Sequence, residues 1–296
     1  MMIKLNIDIP TIDNSELIEQ LKKDPIIIDL FTRKQFNAEL LYKFPIKFDR
    51  YRQNILKCKN CKGLANCKQN IKGKVIDLEY DRMIMEVFTN CKYQRNYDKK
   101  TAHLSKYYVC DLPENFKSIE FKNIELDKQS VHYIELLSKI KKMCQNDQGV
   151  YLYGTMGSGK SYLAACACNY HAIKGKKVAY VHVPSFSSSI KSMITTNEYD
   201  SLVSKLKRAD FVVFDDIGAE KESVWFRDDI LMPILNYRMA NDLCTWFTSN
   251  ENYESLRNHY LVNNSDDIKA DRLMERIKCL TTIFELSEAD RRNVNG

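Results

Sequence analysis

Glycine is scarce in this chain: 9 of 296 residues, about 3% where ordinary proteins carry ~7%. Three of the nine, Gly154, Gly157 and Gly159, fall within six residues, so the residue that gives backbone freedom is concentrated at one place. Long apolar runs are missing too. Nothing approaches the ~18 uninterrupted apolar residues of a membrane helix, and the first residues, MMIKLNIDIPTIDN, carry acids and a proline where an export signal has an apolar stretch. The expectation is a soluble cytoplasmic protein with no membrane partner. Internal repeats and low-complexity tracts are absent. Hydrophobic residues make up 44% and charged residues 28%, a mix that excludes wholesale disorder. The length suits about two domains.

The net charge of +6 is unevenly placed. Up to Lys117 there are 22 Lys/Arg against 15 Asp/Glu, and from Ser118 onward 23 against 24. The basic excess therefore belongs to the first part of the chain. It suits nucleic acid, an acidic protein surface or simply a solvated face, and charge alone does not separate these.

Without an export signal, ten cysteines are not expected to pair, because the cytosol keeps thiols reduced. Cys58, Cys61 and Cys67 form C-x2-C-x5-C, with Cys91 and Cys110 further on. The first pair has the spacing of a metal knuckle, and four thiolates close a tetrahedron around Zn²⁺. No histidine lies between Cys67 and Cys91, so Cys58, Cys61, Cys67 and Cys91 are the economical ligand set, with Cys110 a substitute for the fourth. Such a site would be structural. Cys144, Cys166, Cys168, Cys244 and Cys279 sit among apolar neighbours and read as small buried hydrophobes.

Helical patterns run over residues 13–23, with Asp13 and Glu16 as a capping box and Asp24-Pro25 as a stop, then over about 33–44 and 49–56. Lys74–Tyr80 alternates as a strand does. The polar stretch from Asn96 to Lys106, with Pro113 soon after, is the expected interdomain linker. Beyond Phe121 apolar runs at Val150–Tyr153, Val178–Val183, Phe211–Phe214, Thr245–Thr248 and Thr281–Leu286 alternate with helical stretches such as Ser161–Lys174 and Trp225–Ala240. That alternation predicts a parallel sheet covered on both faces. The expected organisation is a small, mainly helical zinc-binding domain over residues 1–95, a linker over 96–118 and an α/β domain over 119–296.

Gly154-Thr155-Met156-Gly157-Ser158-Gly159-Lys160-Ser161 matches G-x4-G-K-[ST] between an apolar strand and a helix, the context that motif requires. Its glycines let backbone N–H groups face phosphate oxygens at the positive end of a helix. Lys160 then reaches the terminal phosphates and Ser161 ligates Mg²⁺. Phe211-Val-Val-Phe-Asp215-Asp216 delivers two carboxylates at the end of a buried strand, 55 residues after Lys160. There Asp215 holds Mg²⁺, directly or through water, and Asp216 orients the attacking water. Asn250 ends the next strand and is a candidate contact for the γ-phosphate or the water. Arg272 and Arg276 share a helical face, and Arg291-Arg292 follow the last strand. Each suits a phosphate contact, within the chain or across a subunit interface, and each also reads as a surface arginine.

Taken together these motifs resemble an AAA+ ATPase. More narrowly, FDDIGAE (Phe214–Glu220), Trp225-Phe-Arg227-Asp-Asp, Asn236-Tyr-Arg238-Met, FTSN (Phe247–Asn250) and ADRLMERI (Ala270–Ile277) resemble the bacterial replicative helicase loaders of the DnaI and DnaC type. A cysteine-bearing domain ahead of the ATPase is similar to the DnaI arrangement and extends the resemblance over essentially the whole chain. It implies an ATP-dependent loader that holds the hexameric replicative helicase through its first domain, binds single-stranded DNA through its second and self-associates there. It further implies Arg276 as an arginine finger acting in trans with Arg272 beside it, Arg291 or Arg292 as a second sensor, and Asn250 as the first. Asp216 stands where these ATPases usually carry glutamate, which implies slow, DNA- or partner-stimulated turnover that suits a switch better than a motor. Two other classes share the phosphate loop. A transposition helper similar to IstB would not need the cysteine domain, and a small-molecule kinase would need an arginine-rich lid that is missing here.

Overall fold

The computed structural model describes residues 14–127, 129–193, 198–261 and 267–286. Two compact units meet in sequence between Lys100 and Thr101. The first begins with helices α1 (Ser15–Lys23), α2 (Pro25–Lys34), α3 (Glu39–Lys43) and α4 (Pro45–Leu56). Asp24-Pro25 does more than stop α1. Proline fits a first helical position, where no N–H is needed, and the Asp24 carboxylate accepts from Ile26 N at 2.8 Å, so the pair starts α2. The expected cap Asp13 lies outside the described residues, and Asn14 takes the N-cap position of α1 without a side-chain bond. The single helix expected over 33–44 is instead the end of α2, a left-handed Gln35 with φ 53°, and α3. Strands β1 (Lys74–Asp81) and β2 (Met83–Asn90) form an antiparallel hairpin, and α5 (Lys92–Thr101) follows. Leu21, Leu30, Phe48 and Leu78, all fully buried, centre the core of this unit.

Six strands build the second unit: β3 (Tyr107–Cys110), β4 (Val150–Tyr153), β5 (Val178–His182), β6 (Phe211–Asp215), β7 (Cys244–Ser249) and β8 (Thr282–Glu285). They lie in the order β3-β5-β6-β7-β4-β8, every pair parallel. Leu152, Tyr180, Val213 and Trp246 face α6 (Val131–Gln145) and α7 (Lys160–Ile173) on one side. Tyr151, Val181, Phe214 and Phe247 face the other, which carries α8 (Val183–Met193), α9 (Glu198–Arg208), α10 (Met232–Ala240), α11 (Tyr253–His259) and α12 (Asp267–Leu280). Cover on both faces is why the central strands read as unbroken apolar runs. The expected parallel α/β arrangement is present.

Two stretches depart from expectation. Residues 96–118 are not a bare linker: they hold the end of α5, a 3-10 turn (Ala102–Lys106) and β3, which pairs with β5. Four residues that alternate between half-buried and exposed, beside a polar stretch, are too short to display a period. The helix expected over 225–240 contains a π turn (Phe226–Leu231) before α10, whose first turn carries Pro233. Proline donates no N–H and crowds the carbonyl one turn back, and a wider turn relieves that clash. Among the described residues no helix is long and apolar enough to cross a membrane.

Candidate functional site

The loop from Gly154 to Ser161 joins β4 to α7. Gly154 has φ 149°, and a Cβ there would stand 2.1 Å from Leu286 O, so the close approach of the chain after β8 admits only glycine. Gly159 (φ 101°) makes the left-handed turn into α7. Lys160 is buried to 6% exposure. Its ammonium donates to Gly154 O at 2.9 Å, Thr155 O at 2.8 Å and Asn250 Oδ1 at 3.0 Å. These acceptors are neutral, and charged phosphate oxygens make stronger bonds with an ammonium. Ser158 Oγ is buried with no hydrogen-bond partner among the described residues. An orphaned hydroxyl inside a loop of backbone N–H groups fits an incoming anion.

Strands β6 and β7 bring the acidic pair to the same place. Thr248 Oγ1 donates to Asp215 Oδ1 at 2.6 Å and accepts from Asp216 N at 2.9 Å. Asn250 Nδ2 donates to Asp216 Oδ1 at 3.0 Å, so Asn250 bridges Lys160 and Asp216. Asp216 is left-handed at φ 61°, a conformation aspartate tolerates better than most residues. Burial raises its pKa, and the neighbouring Asp215 charge raises it further. Buried Asp215 and the Ser161 hydroxyl are hard oxygen donors of the kind Mg²⁺ takes.

Lys160, Ser161, Asp215, Asp216 and Asn250 line one cavity of about 320 Å³ together with Phe116, Tyr162 and His182. With Met156, Gly157 and Gly159 of the loop, the cavity gathers eight residues singled out from sequence and adds Phe116, Tyr162 and His182, while Thr248 stands behind the acidic pair. His182 ends β5 in register with Asp215, and its Nδ1 lies 2.7 Å from Ser185 Oγ. Its place at a strand end was a usable signal, since open α/β sheets bind ligands there. Phe116 carried none.

A family model described as IstB-like ATP binding protein matches residues 62–292. The chain belongs to that family. It is also similar to the replicative helicase loader DnaI of Bacillus subtilis (strain 168), with 26% identity over 92% of this chain and 88% of the relative. The replicative helicase loader DnaC of Escherichia coli (strain K12) is 26% identical over 48% of this chain and 56% of its own length. A crystal structure of DnaI superposes with a TM-score of 0.55 and 30% identity, covering 64% of this chain and 99% of the solved one. The family-level resemblance read from the motifs therefore holds: this is an α/β ATP-binding protein similar to the loaders.

Not every expected residue joins the cavity. Arg276, on α12, donates from Nε to Asn236 Oδ1 at 2.9 Å and from Nη1 to Glu275 Oε2 at 3.2 Å, and Arg272 is exposed. Arg291 and Arg292 lie outside the described residues. Arg227 and Arg238, quoted for the resemblance, are fully buried structural groups. Arg238 holds the carbonyls of Leu206, Ala209 and Cys244 at 3.0, 2.7 and 2.6 Å, tying the end of α9 to β7.

Cys58, Cys61, Cys67 and Cys91 do line one cavity of about 620 Å³ in the first unit. They do not form the ligand set expected of them. Among the described residues no group of three or more His, Cys, Asp or Glu side chains is placed to hold a metal. The sulfurs are engaged separately: Gln69 Nε2 donates to Cys58 Sγ at 3.1 Å, Gly73 N to Cys67 Sγ at 3.4 Å and Gln94 N to Cys91 Sγ at 3.4 Å. Each thiol takes a partner close by, which holds it at its own turn. Cys110 belongs to β3 of the second unit. Of the five cysteines expected to be buried, four are, and Cys279 is exposed.

Proposed function

We propose that this chain is an ATP-dependent loader that holds a hexameric replicative helicase and delivers it to single-stranded DNA in the cytoplasm. The observation that carries the reading is the linked set Lys160–Asn250–Asp216, with Thr248 locking Asp215 beside it, in a chain whose similarity to DnaI spans both units. Lys160, Ser158 and the loop N–H groups would take the phosphates, and Ser161 with Asp215 would hold Mg²⁺, whose charge supports phosphoryl transfer. Asp216 orients a water, and Asn250 reports to it whether Lys160 is occupied by phosphate. Hydrolysis is slow on this reading and rises with DNA or helicase. Pull-down of the hexameric helicase by this chain, with and without ATP, tests it. Retention of no helicase in either condition overturns it.

The family description also covers transposition helpers similar to IstB. Similarity to a loader across the cysteine-bearing unit favours the loader. As part of the same reading, one zinc ion would draw Cys58, Cys61, Cys67 and Cys91 together; their sharing one cavity supports this. Thiolate–zinc binding can contribute on the order of 10 kcal/mol to folding a small domain. Elemental analysis of protein purified without chelator should find one zinc per chain, and none would remove the ion from the reading.

A further inference from the structure

Asn169 lies midway along α7, on the helix that begins at Lys160, and is fully buried. A primary amide offers two donor hydrogens and two acceptor lone pairs, and here all four are used. Oδ1 accepts from Tyr107 Oη at 2.6 Å and from His103 Nε2 at 3.0 Å. Nδ2 donates to Phe116 O at 2.9 Å and Ile119 O at 2.8 Å. The partners fix the orientation: turned over, the amide would set its oxygen against two carbonyls. All four lie in residues 103–119, the segment that enters the second unit. Phe116 in turn packs edge-on against Tyr162, ring centroids 5.5 Å apart, and lines the cavity that holds Lys160, Ser161, Asp215 and Asp216.

We propose that Asn169 is a positioning residue for nucleotide binding. It clamps residues 103–119 onto the helix of the phosphate loop, so that Phe116 forms the wall met by the nucleoside while the loop grips the phosphates. The inference rests on the ATP-binding reading of this site. Two halves of the amide have separate tasks. The oxygen anchors Tyr107 and His103 at the start of the segment, and the NH₂ holds the backbone on both sides of Lys117 and Ser118. A clamp of this kind acts on the nucleoside half of the ligand and leaves the phosphate half alone.

Competition binding on the full chain with Mg²⁺ separates those halves, using a fluorescent ATP analogue displaced by ATP or by inorganic tripolyphosphate, with thermal melting alongside. Asn169→Asp keeps the acceptor half, removes both donors and places carboxylate oxygens against two carbonyls. ATP affinity should fall by about tenfold or more, the scale of one buried polar group left unpaired, with tripolyphosphate affinity within about twofold of wild type. Phe116→Ala should reproduce that selective loss with little change in melting. Equal loss of both ligands in either variant, or no loss of ATP, overturns the proposal. Should Asn169→Asp not fold, Tyr107→Phe removes one donor to Oδ1 and keeps the ring. It must then show the ATP-selective loss, or the clamp is rejected. Failure of the underlying reading looks different: wild type would bind neither ligand, or Lys160→Ala would leave ATP binding unchanged.

Discussion

At the scale of single residues, the bonds of Lys160 and Asp216 set what their removal should do. Lys160→Ala deletes the ammonium that reaches across the loop to Asn250, so ATP affinity should fall by about 100-fold, the scale of charge-assisted bonds to phosphate, measured by titration. Unchanged affinity would move the phosphates elsewhere. Asp216→Asn keeps the size of the side chain and its place beside Asn250 but removes the carboxylate. ATP binding should stay within a few-fold while phosphate release falls by about 100-fold or more, the scale of losing a positioned base. Loss of binding instead would exchange the roles of Asp215 and Asp216. These residues were legible in the sequence because glycine spacing and a strand ending in two acids carry their own chemistry. Thr248, His182 and Phe116 were not singled out, since what places them is the lateral order of β5, β6 and β7 and the path of residues 103–119. Neither is a local property of the chain.

At the scale of elements, α7 carries a third buried polar group besides Lys160 and Asn169. The His171 ring lies 4.2 Å from that of Phe211, and its Nε2 is 3.5 Å from Cys144 Sγ. Burial pushes its pKa down to about 4, and Lys176 adds to the effect. The folded form therefore binds the proton less readily than the unfolded chain, whose imidazole titrates near 6.5. Stability from this group is full above about pH 6.5 and is lost as pH falls toward 4. Between pH 7 and pH 5 the loss should be about 2 kcal/mol. Denaturant unfolding of His171→Phe should show a correspondingly shallower acid dependence, and an unchanged slope would reject the assignment. Arg238 binds α9 to β7 through three carbonyls, so Arg238→Ala should cost about 3–5 kcal/mol by leaving them unpaired. The central strands were readable as apolar runs for the same reason they are stable: both faces are covered. Strand β3 and the π turn before α10 were not, because an edge strand shows half a pattern and a widened turn shows none.

At the scale of the whole molecule, Arg276 stands on α12 outside the phosphate cavity, bound to Asn236 and Glu275. On the trans role that the loader resemblance implies for it, Arg276→Ala should leave ATP binding nearly intact and abolish DNA- or helicase-stimulated hydrolysis, with a loss of ~10³-fold or more. Mixing it with Lys160→Ala protein should restore part of the activity, each chain supplying what the other lacks. A fully active Arg276→Ala would confine the site to one chain and leave that guanidinium an ion pair worth under ~1 kcal/mol. The sheet order has its own mechanical consequence. The first strand of the second unit, β3, and the last, β8, are the two edges, with the phosphate-loop strand β4 and the acid-bearing strand β6 between them. A pull applied through both flanks of this unit would load five hydrogen-bonded ladders in series, across a width of roughly 24 Å at the usual strand spacing. The β3–β5 ladder, with three paired positions and a register shift where the others have four or five, would open first, shedding β3 while the other five strands stay joined. Such a pull would detach the first strand of the unit while β4 and β6, which carry the phosphate loop and the acidic pair, keep their neighbours.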